Sequence, residues 1–166
     1  MGRHYDPIAE YIKLHKQGKV TKWNDKKPTL IWRGAVTDVQ SDGDDKKDLL
    51  TTFISGGSRI HVVRQNFNAR ISDVDIAFEQ NSPTREWAPL KYYNEVQLAR
   101  GRDTSMADQL KYKYILNLEG NDIATGLKWQ LASNSVVFMA KPTTVSFLME
   151  DLLVPFVHYI PVKDEL

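Results

Sequence analysis

The chain has 166 residues, of which 42% are hydrophobic and 26% charged, so it is long enough to bury the core of one ordinary domain. Its 22 Lys and Arg nearly balance its 21 Asp and Glu, and a net charge of +1 argues against a polycation that coats nucleic acid or an anionic membrane. The absence of cysteine excludes disulfides, cysteine-ligated metal sites and a cysteine nucleophile, and no apolar run approaches the roughly 20 residues that span a bilayer.

The first two thirds of the chain contain short elements with loops between them. Their residue patterns predict a helix over 6–16, a strand over 29–32 that ends at Arg33-Gly34, a loop over 38–48 and a helix over 46–55. They also predict a strand over 60–63, a strand over 71–78 with one face exposed to solvent, and a long connection over 81–102 with room for one helix.

The last third has the clearest pattern. It predicts a strand over 112–118, a turn over 119–122, a helix over 123–133, a strand over 135–139, a helix over 145–153 and a strand over 157–162. Strands that alternate with helices through short loops predict the α/β class, with a Rossmann-like parallel sheet and helices on both faces.

The turn after the strand 112–118 is the strongest candidate site. In an open α/β sheet, ligands bind beyond the carboxyl ends of the strands, where helix N-termini present free N–H groups. Gly120 lets a ligand approach the backbone, Asn121 or Asp122 can cap the helix, and Thr125 and Lys128 can meet a diphosphate. The alternative is an ordinary capped helix with a surface lysine.

Two other places have residues suited to a nucleotide diphosphate. Arg33, followed by Gly34, can form a bidentate phosphate clamp at the same edge, or can simply pair with a nearby carboxylate. Asp73 and Asp75 form an Asp-x-Asp pair on one side of a strand, which suits a divalent metal, but two acids on the wet face of a strand are common.

Histidine chemistry and nucleic-acid binding receive little support. The 4 histidines, His4, His15, His61 and His158, lack the spacing of a helix-borne metal site, and His158 is expected to be half-buried in an apolar strand. The tryptophans do not alternate with a basic stripe, so no nucleic-acid partner is expected.

Residues 111–162 carry a resemblance to a known family. The run KYKYILNLEGNDIATGLKWQLASNSVVFM, followed by VHYIPV, resembles glycosyltransferase family 90, which includes protein O-glucosyltransferases, capsule xylosyltransferases and lipopolysaccharide-modifying enzymes. Leu30 to Gly34 (LIWRG) is similar to the family's aromatic-Arg-Gly motif, and the Leu-Glu-Gly-Asn-Asp wording is closer to the bacterial lipopolysaccharide-modifying branch.

The resemblance implies a GT-B architecture in which this chain is the C-terminal, donor-binding half. It implies inverting, metal-independent transfer of a sugar from a UDP-sugar to a hydroxyl of a glycan or protein, with no cofactor. The donor-binding residues it implies are Arg33, Gly34, Glu119, Gly120, Asn121, Asp122, Thr125, Lys128, Ser133, Asn134 and Ser135. Some relatives have an arginine where this chain has Gly126, which shifts the phosphate role to Lys128, Arg33 or backbone N–H groups.

A catalytic base is not identified. The family's carboxylate base lies in an acceptor-side domain that precedes the matched region, and Asp38, Asp73 and Asp75 are weak candidates. We therefore expect residues 1–28 to be a lead-in, residues 29–166 to be a truncated donor-binding domain, and an N-terminal domain to be missing. A non-catalytic or truncated remnant that acts as a binding domain is the alternative, and an Asp-x-Asp transferase that requires metal is a third.

The two ends of the chain bear on its location. The chain ends in Lys-Asp-Glu-Leu, the tetrapeptide that retains proteins in the endoplasmic reticulum, but its start shows no secretory signal. We expect a cytoplasmic protein, with the lumen of the endoplasmic reticulum as the alternative if the tetrapeptide is a genuine signal.

Overall fold

A single parallel sheet organises the molecule. The structure is a computed structural model that describes residues 6–35, 59, 62–63, 65–66, 72–80, 104–120 and 123–162. Its strands are β1 (Lys27–Gly34), β2 (Val74–Phe78), β3 (Tyr112–Asn117), β4 (Val136–Met139) and β5 (Ile160–Pro161). They form a five-stranded sheet in the order β2-β1-β3-β4-β5, and every neighbouring pair is parallel. The expected α/β class with a parallel sheet is confirmed.

The helices are short. They are α1 (Asp6–Lys16), α2 (Met106–Gln109) and α3 (Leu127–Ala132), with 3-10 turns at Trp23–Asp25 and Glu150–Leu152. The bounds predicted for α1 are confirmed. Nowhere in the described ranges is there a helix of the length and apolar character that a membrane span requires.

Alternating residues of the strands supply a core on each face of the sheet. Ile31 and Ile115 pack with Tyr11 of α1 and Trp129 of α3 on one face. On the other face, Trp32 of β1 belongs to a cluster completed by Val63, Ile76, Phe78 and Leu116. Apolar burial on both faces explains why the strands read as nearly continuous hydrophobic runs.

The strand predicted over 60–63 is wrong. Val62 and Val63 are helical, as are the other described residues between 59 and 66. Val63 is fully buried against the sheet. A short apolar run suits a buried strand and a buried helix equally, and here tertiary packing selected the helix.

The helix predicted over 123–133 is shorter than expected. It begins at Leu127, with Gly126 as its N-cap. Ile123, Leu127 and Leu131 nevertheless contact one apolar cluster, which explains their spacing of four. Glycine is a poor helix former, so Ile123 reaches that cluster from an irregular segment.

The final helix and strand are also shorter than predicted. Of the helix expected over 145–153, only the 3-10 turn at Glu150–Leu152 forms, and β5 contains two residues. His158 is exposed in a turn, where its Nδ1 accepts a hydrogen bond of 2.8 Å from the Val154 N–H, rather than half-buried in a strand. The helix predicted over 46–55 and the connection over 81–102 lie outside the described residues.

Candidate functional site

The carboxyl ends of four strands meet along one edge of the sheet. Gly34 of β1 is in register with Phe78 of β2, and Asn117 of β3 is in register with Met139 of β4. We call this side the carboxyl edge, and the opposite side, where β1, β3 and β4 begin, the amino edge. Segments that leave parallel strands at a carboxyl edge are the usual place for a ligand in this class of fold.

Arg59 joins the ends of β1 and β3 at the carboxyl edge. Its guanidinium donates hydrogen bonds to the carbonyls of Glu119 (3.0 Å), Leu118 (2.8 Å) and Ala35 (3.2 Å). It also lies over the Trp32 ring, 5.6 Å from the ring centroid. One guanidinium therefore brings a permanent positive charge to this edge and fixes the backbone that follows two neighbouring strands.

Gly34 makes room for the tryptophan beneath that arginine. A Cβ atom at Gly34 would lie 2.6 Å from Cζ2 of Trp32, closer than real Cβ contacts come. Trp32 is buried, so its ring has little freedom to move away. The glycine of the Trp-Arg-Gly sequence thus has a packing role in positioning Trp32 and, through it, Arg59.

Glu119 connects the segment after β3 to the segment after β4. Its carboxylate accepts hydrogen bonds from the backbone N–H of Thr143 (3.1 Å) and from the Thr143 hydroxyl. The backbone N–H of Thr144 donates a longer hydrogen bond, of 3.4 Å, to Oε1 of the same carboxylate. Gly120 directly follows Glu119. The predicted ligand-binding turn therefore begins at Glu119, whose carbonyl is bound by Arg59 and whose carboxylate is bound by Thr143.

Arg33 is paired with a carboxylate, the second of its two interpretations. Its guanidinium lies 2.6 Å from Oδ1 of Asp75 and also donates to the carbonyls of Asp75 (2.9 Å) and Trp32 (2.8 Å). The Arg33 side chain is only 7% exposed, whereas that of Asp75 is 41% exposed. Arg33 therefore holds β2 against β1, and its role toward a diphosphate stays a prediction.

The structure does not arrange Asp73 and Asp75, the Asp-x-Asp pair, as ligands of one metal ion. The carbonyl of Asp73 accepts a backbone hydrogen bond of 2.9 Å from Leu30, and the Asp75 carboxylate is bound to Arg33. Within the ranges that the structure describes, no three His, Cys, Asp or Glu side chains are grouped as metal ligands would be.

Lys128 and Thr125 lie at the start of α3. Thr125 is exposed, and Lys128 places its Nζ 5.0 Å from the centroid of the Phe147 ring. Burial acts to raise the pKa of the Glu150 carboxyl, but hydrogen bonds from Ser146 and the charge of Lys128 outweigh burial and lower that pKa below its ordinary value. Lys128 thus contributes positive charge near the connection that follows β4.

Three predicted donor-binding residues lie at the other edge of the sheet. Ser133, Asn134 and Ser135 directly precede β4, and Ser135 donates a hydrogen bond of 2.8 Å to the carbonyl of Tyr112, where β3 begins. Asn134 donates to the carbonyl of Thr21 at 3.0 Å. The structure therefore does not bring these residues together with Glu119 or Gly120 at the carboxyl edge.

A comparison of the sequence with models of protein families identifies the family of this chain. The model for glycosyl transferase family 90 matches residues 6–166. The chain belongs to glycosyltransferase family 90. The resemblance found in its motifs is confirmed, and it extends well beyond the last third of the chain.

Three curated proteins show the range of similarity to this family 90 chain. The chain is 49% identical over 61 residues (37% of the chain, 19% of the relative) to the O-glucosyltransferase LpsA of Dichelobacter nodosus. It is 26% identical over 163 residues (88% and 13%) to the uncharacterized protein 179R of Invertebrate iridescent virus 6. It is 31% identical over 93 residues (56% and 22%) to protein O-glucosyltransferase 1 of Rattus norvegicus. The matches thus span 13–22% of the length of these relatives.

Sequence reasoning missed Arg59 in this family 90 chain. The sequence marks Gly56-Gly57 as a helix end, and an arginine after two glycines matches no phosphate-binding motif. Its partners are 24 to 60 residues away along the chain, so only the folded sheet reveals its position. Asp38, Asn121 and Asp122 lie outside the described residues, and their predicted roles stay predictions.

Proposed function

We propose that the carboxyl edge binds the diphosphate of a UDP-sugar, and that this chain is the donor-binding part of a GT-B enzyme that transfers the sugar with inversion to a hydroxyl group. Membership of glycosyltransferase family 90 supports the reaction class. The names of two relatives, both O-glucosyltransferases, support glucose as the sugar and a hydroxyl as the acceptor. The observation that carries the assignment to this edge is the Arg59 guanidinium at the ends of β1 and β3.

Charge stabilisation is what this edge would contribute to the reaction. The departing UDP gains negative charge in the transition state, and fixed positive groups lower the energy of that state. Arg59 is always charged, and Lys128 adds a second cation beside the segment that follows β4. In this proposal Gly120 and Thr125 line the donor pocket, Glu119 fixes its wall, and Arg33 supports it through β2.

Deprotonation of the acceptor hydroxyl is not assigned to a described residue. Of the candidate bases, Asp75 is bound to Arg33, Asp73 directly precedes β2 and so lies away from the carboxyl edge, and Asp38 lies outside the described residues. Because no described carboxylate is placed to act as the base, a second candidate function is a domain that binds the donor without transferring the sugar. Release of UDP from UDP-glucose, or transfer of its glucose, by the purified chain would contradict this second candidate.

Isothermal titration with UDP in EDTA tests the donor site. We expect Arg59→Ala to weaken binding about 10- to 100-fold, and Arg59→Lys to lie between that variant and the parent because it keeps the charge and loses the three carbonyl contacts.

Lys111→Ala is the matched control. It also removes one positive charge, but from an exposed side chain beside the start of β3 at the amino edge. We expect its affinity for UDP to stay within about twofold of the parent. If folded Arg59→Ala binds UDP as tightly as the parent, the site is not at the carboxyl edge. If Arg59→Ala and Lys111→Ala lose the same affinity, the loss reflects net charge and not a specific contact.

A further inference from the structure

The connection between β4 and β5 exposes an unusual amount of apolar side chain. Eight apolar residues of this connection are 45–78% exposed, although the molecule has two well-packed sheet faces available to cover such residues. We call these residues the apolar strip: Val145, Phe147, Leu148, Met149, Leu152, Val154, Phe156 and Val157.

Polar anchors and a small core hold this connection in a defined shape. The buried Glu150 carboxylate accepts hydrogen bonds from the backbone N–H (2.6 Å) and the hydroxyl (2.7 Å) of Ser146. Leu153 and Tyr159 pack into the apolar cluster formed with α3 and β4. These contacts fix the backbone that bears the exposed apolar side chains.

Backbone strain occurs where apolar side chains of the strip are presented. Met149 (φ 54°) and Phe156 (φ 62°) adopt left-handed conformations, and their side chains are 58% and 78% exposed. For residues other than glycine, asparagine and aspartate, this conformation costs on the order of 1 kcal/mol or more. Contact of these side chains with another surface would offset that cost.

The exposed area fits a protein interface. From typical side-chain areas and the exposed fractions, the residues of the strip together offer on the order of 600 Å² of apolar surface, as much as the largest apolar patches of monomers. A standard interface buries about 800 Å² per partner, and about two thirds of a homodimer interface is apolar. The strip therefore supplies the apolar share of one such interface.

The charges on the strip favour a second copy of the same chain over a membrane. In residues 140–162, the exposed charged side chains are Lys141 and Asp151, because Glu150 is buried, and Lys128 of α3 lies beside Phe147 of the strip. This surface has charges of both signs, so side chains of opposite charge can pair across a twofold axis. The excess of lysine and arginine that favours an anionic membrane is missing from this segment.

We propose that the apolar strip is the contact surface of a symmetric homodimer. Pairing of β5 strands is not the basis of this contact, because β5 has only two residues and Pro161 has no N–H to donate. Side-chain packing, with Phe156 as the most exposed aromatic residue, is its basis.

Sedimentation velocity of the full chain over a wide concentration range tests the proposal. We expect a concentration-dependent change from the 19.0 kDa monomer to a species of twice that mass. Phe156→Gly should weaken dimerisation about 30-fold or more, while the melting temperature of the monomer stays equal or rises because glycine relieves the left-handed strain.

Controls separate the interface from general surface effects. Val157→Ser should also weaken dimerisation and does not touch a strained position, whereas Ile12→Ser, an apolar residue of α1 that is 46% exposed, should leave it unchanged. A monomer at every concentration, or wild-type dimerisation of folded Phe156→Gly and Val157→Ser, would overturn the proposal. A monomer that binds phosphatidylcholine vesicles would overturn it in favour of a lipid surface.

Discussion

Lys26 shows how one residue can make the stability of the molecule depend on pH. This lysine is 4% exposed at the amino edge, where its Nζ donates hydrogen bonds to the carbonyl of Leu110 and, at 2.8 Å, to the hydroxyl of Ser135. Burial of the ammonium lowers the pKa of Lys26 from 10.5 to about 8. The folded protein thus gives up this proton at a lower pH than the unfolded chain does.

We predict that Lys26 makes the protein more stable as the pH rises from 7 to 9.5. Between the folded pKa of about 8 and the unfolded value of 10.5, the unfolded state binds more protons, so the free energy of unfolding increases with pH. The shift corresponds to about 2 kcal/mol of gain by pH 9.5. Urea denaturation at several pH values measures this gain.

Comparison with a variant isolates the contribution of Lys26 from that of other groups that titrate in this range. Lys26→Met should lose the gain, whereas Lys22→Met, which removes an exposed lysine nearby, should retain it. Identical pH profiles for Lys26→Met and the parent would contradict the assignment of the gain to Lys26.

At the scale of elements, Glu119 couples two segments that leave neighbouring strands. The carboxylate accepts from the N–H and the hydroxyl of Thr143, while the carbonyl of the same residue accepts from Arg59. Glu119 is thus the link between the end of β3, the segment after β4 and Arg59. Removing its carboxylate should loosen one of these connections and leave the strands paired.

We predict that Glu119→Ala accelerates amide exchange at Thr143 roughly tenfold, because the variant loses a charge-assisted hydrogen bond worth about 1.4 kcal/mol. Hydrogen exchange followed by NMR measures this rate. In Glu119→Ala, exchange of the Gln17 amide, which lies after α1, should be unaffected. The control variant Asp151→Ala removes an exposed acid, and we expect it to leave exchange unchanged at all amides outside the connection between β4 and β5. Unchanged exchange at Thr143 in Glu119→Ala would show that another contact holds this segment.

At the scale of the whole molecule, donor binding should stabilise the fold because the carboxyl edge exists only when β1, β3 and β4 are assembled. A ligand that binds only the folded state at 100 times its dissociation constant adds about 2.7 kcal/mol. For a domain of this size, that corresponds to a melting temperature that is roughly 5–10 °C higher.

We predict that UDP produces this thermal shift in EDTA and that UMP, which lacks the second phosphate, produces a smaller one. Differential scanning fluorimetry with EDTA and with Mn²⁺ makes the comparison. A shift that requires Mn²⁺ would favour the metal-dependent alternative based on Asp73 and Asp75. That alternative requires Asp75 to leave its contact with Arg33.

Elements with a strong local pattern were predictable from the sequence. The apolar runs of β1, β3 and β4 and the amphipathic pattern of α1 appear at the expected places, and the motifs around them identified glycosyltransferase family 90. The predictions for residues 60–63 and 145–153 failed because their apolar content suits several local structures. At residues 62–63, contact with the sheet selected the helix, whereas most apolar side chains of 145–153 stay exposed and give no packed face to support one.

The candidate site divides in the same way. The sequence by itself determined that Glu119 and Gly120 follow a buried strand and that a parallel sheet gathers such turns at one edge, because these are properties of neighbouring residues. Only the tertiary structure decided that Arg33 pairs with Asp75, 42 residues away, and that Arg59 reaches the carbonyl of Glu119 across 60 residues. Hydrogen bonds over such separations depend on the order and register of the strands, which no local pattern of residues encodes.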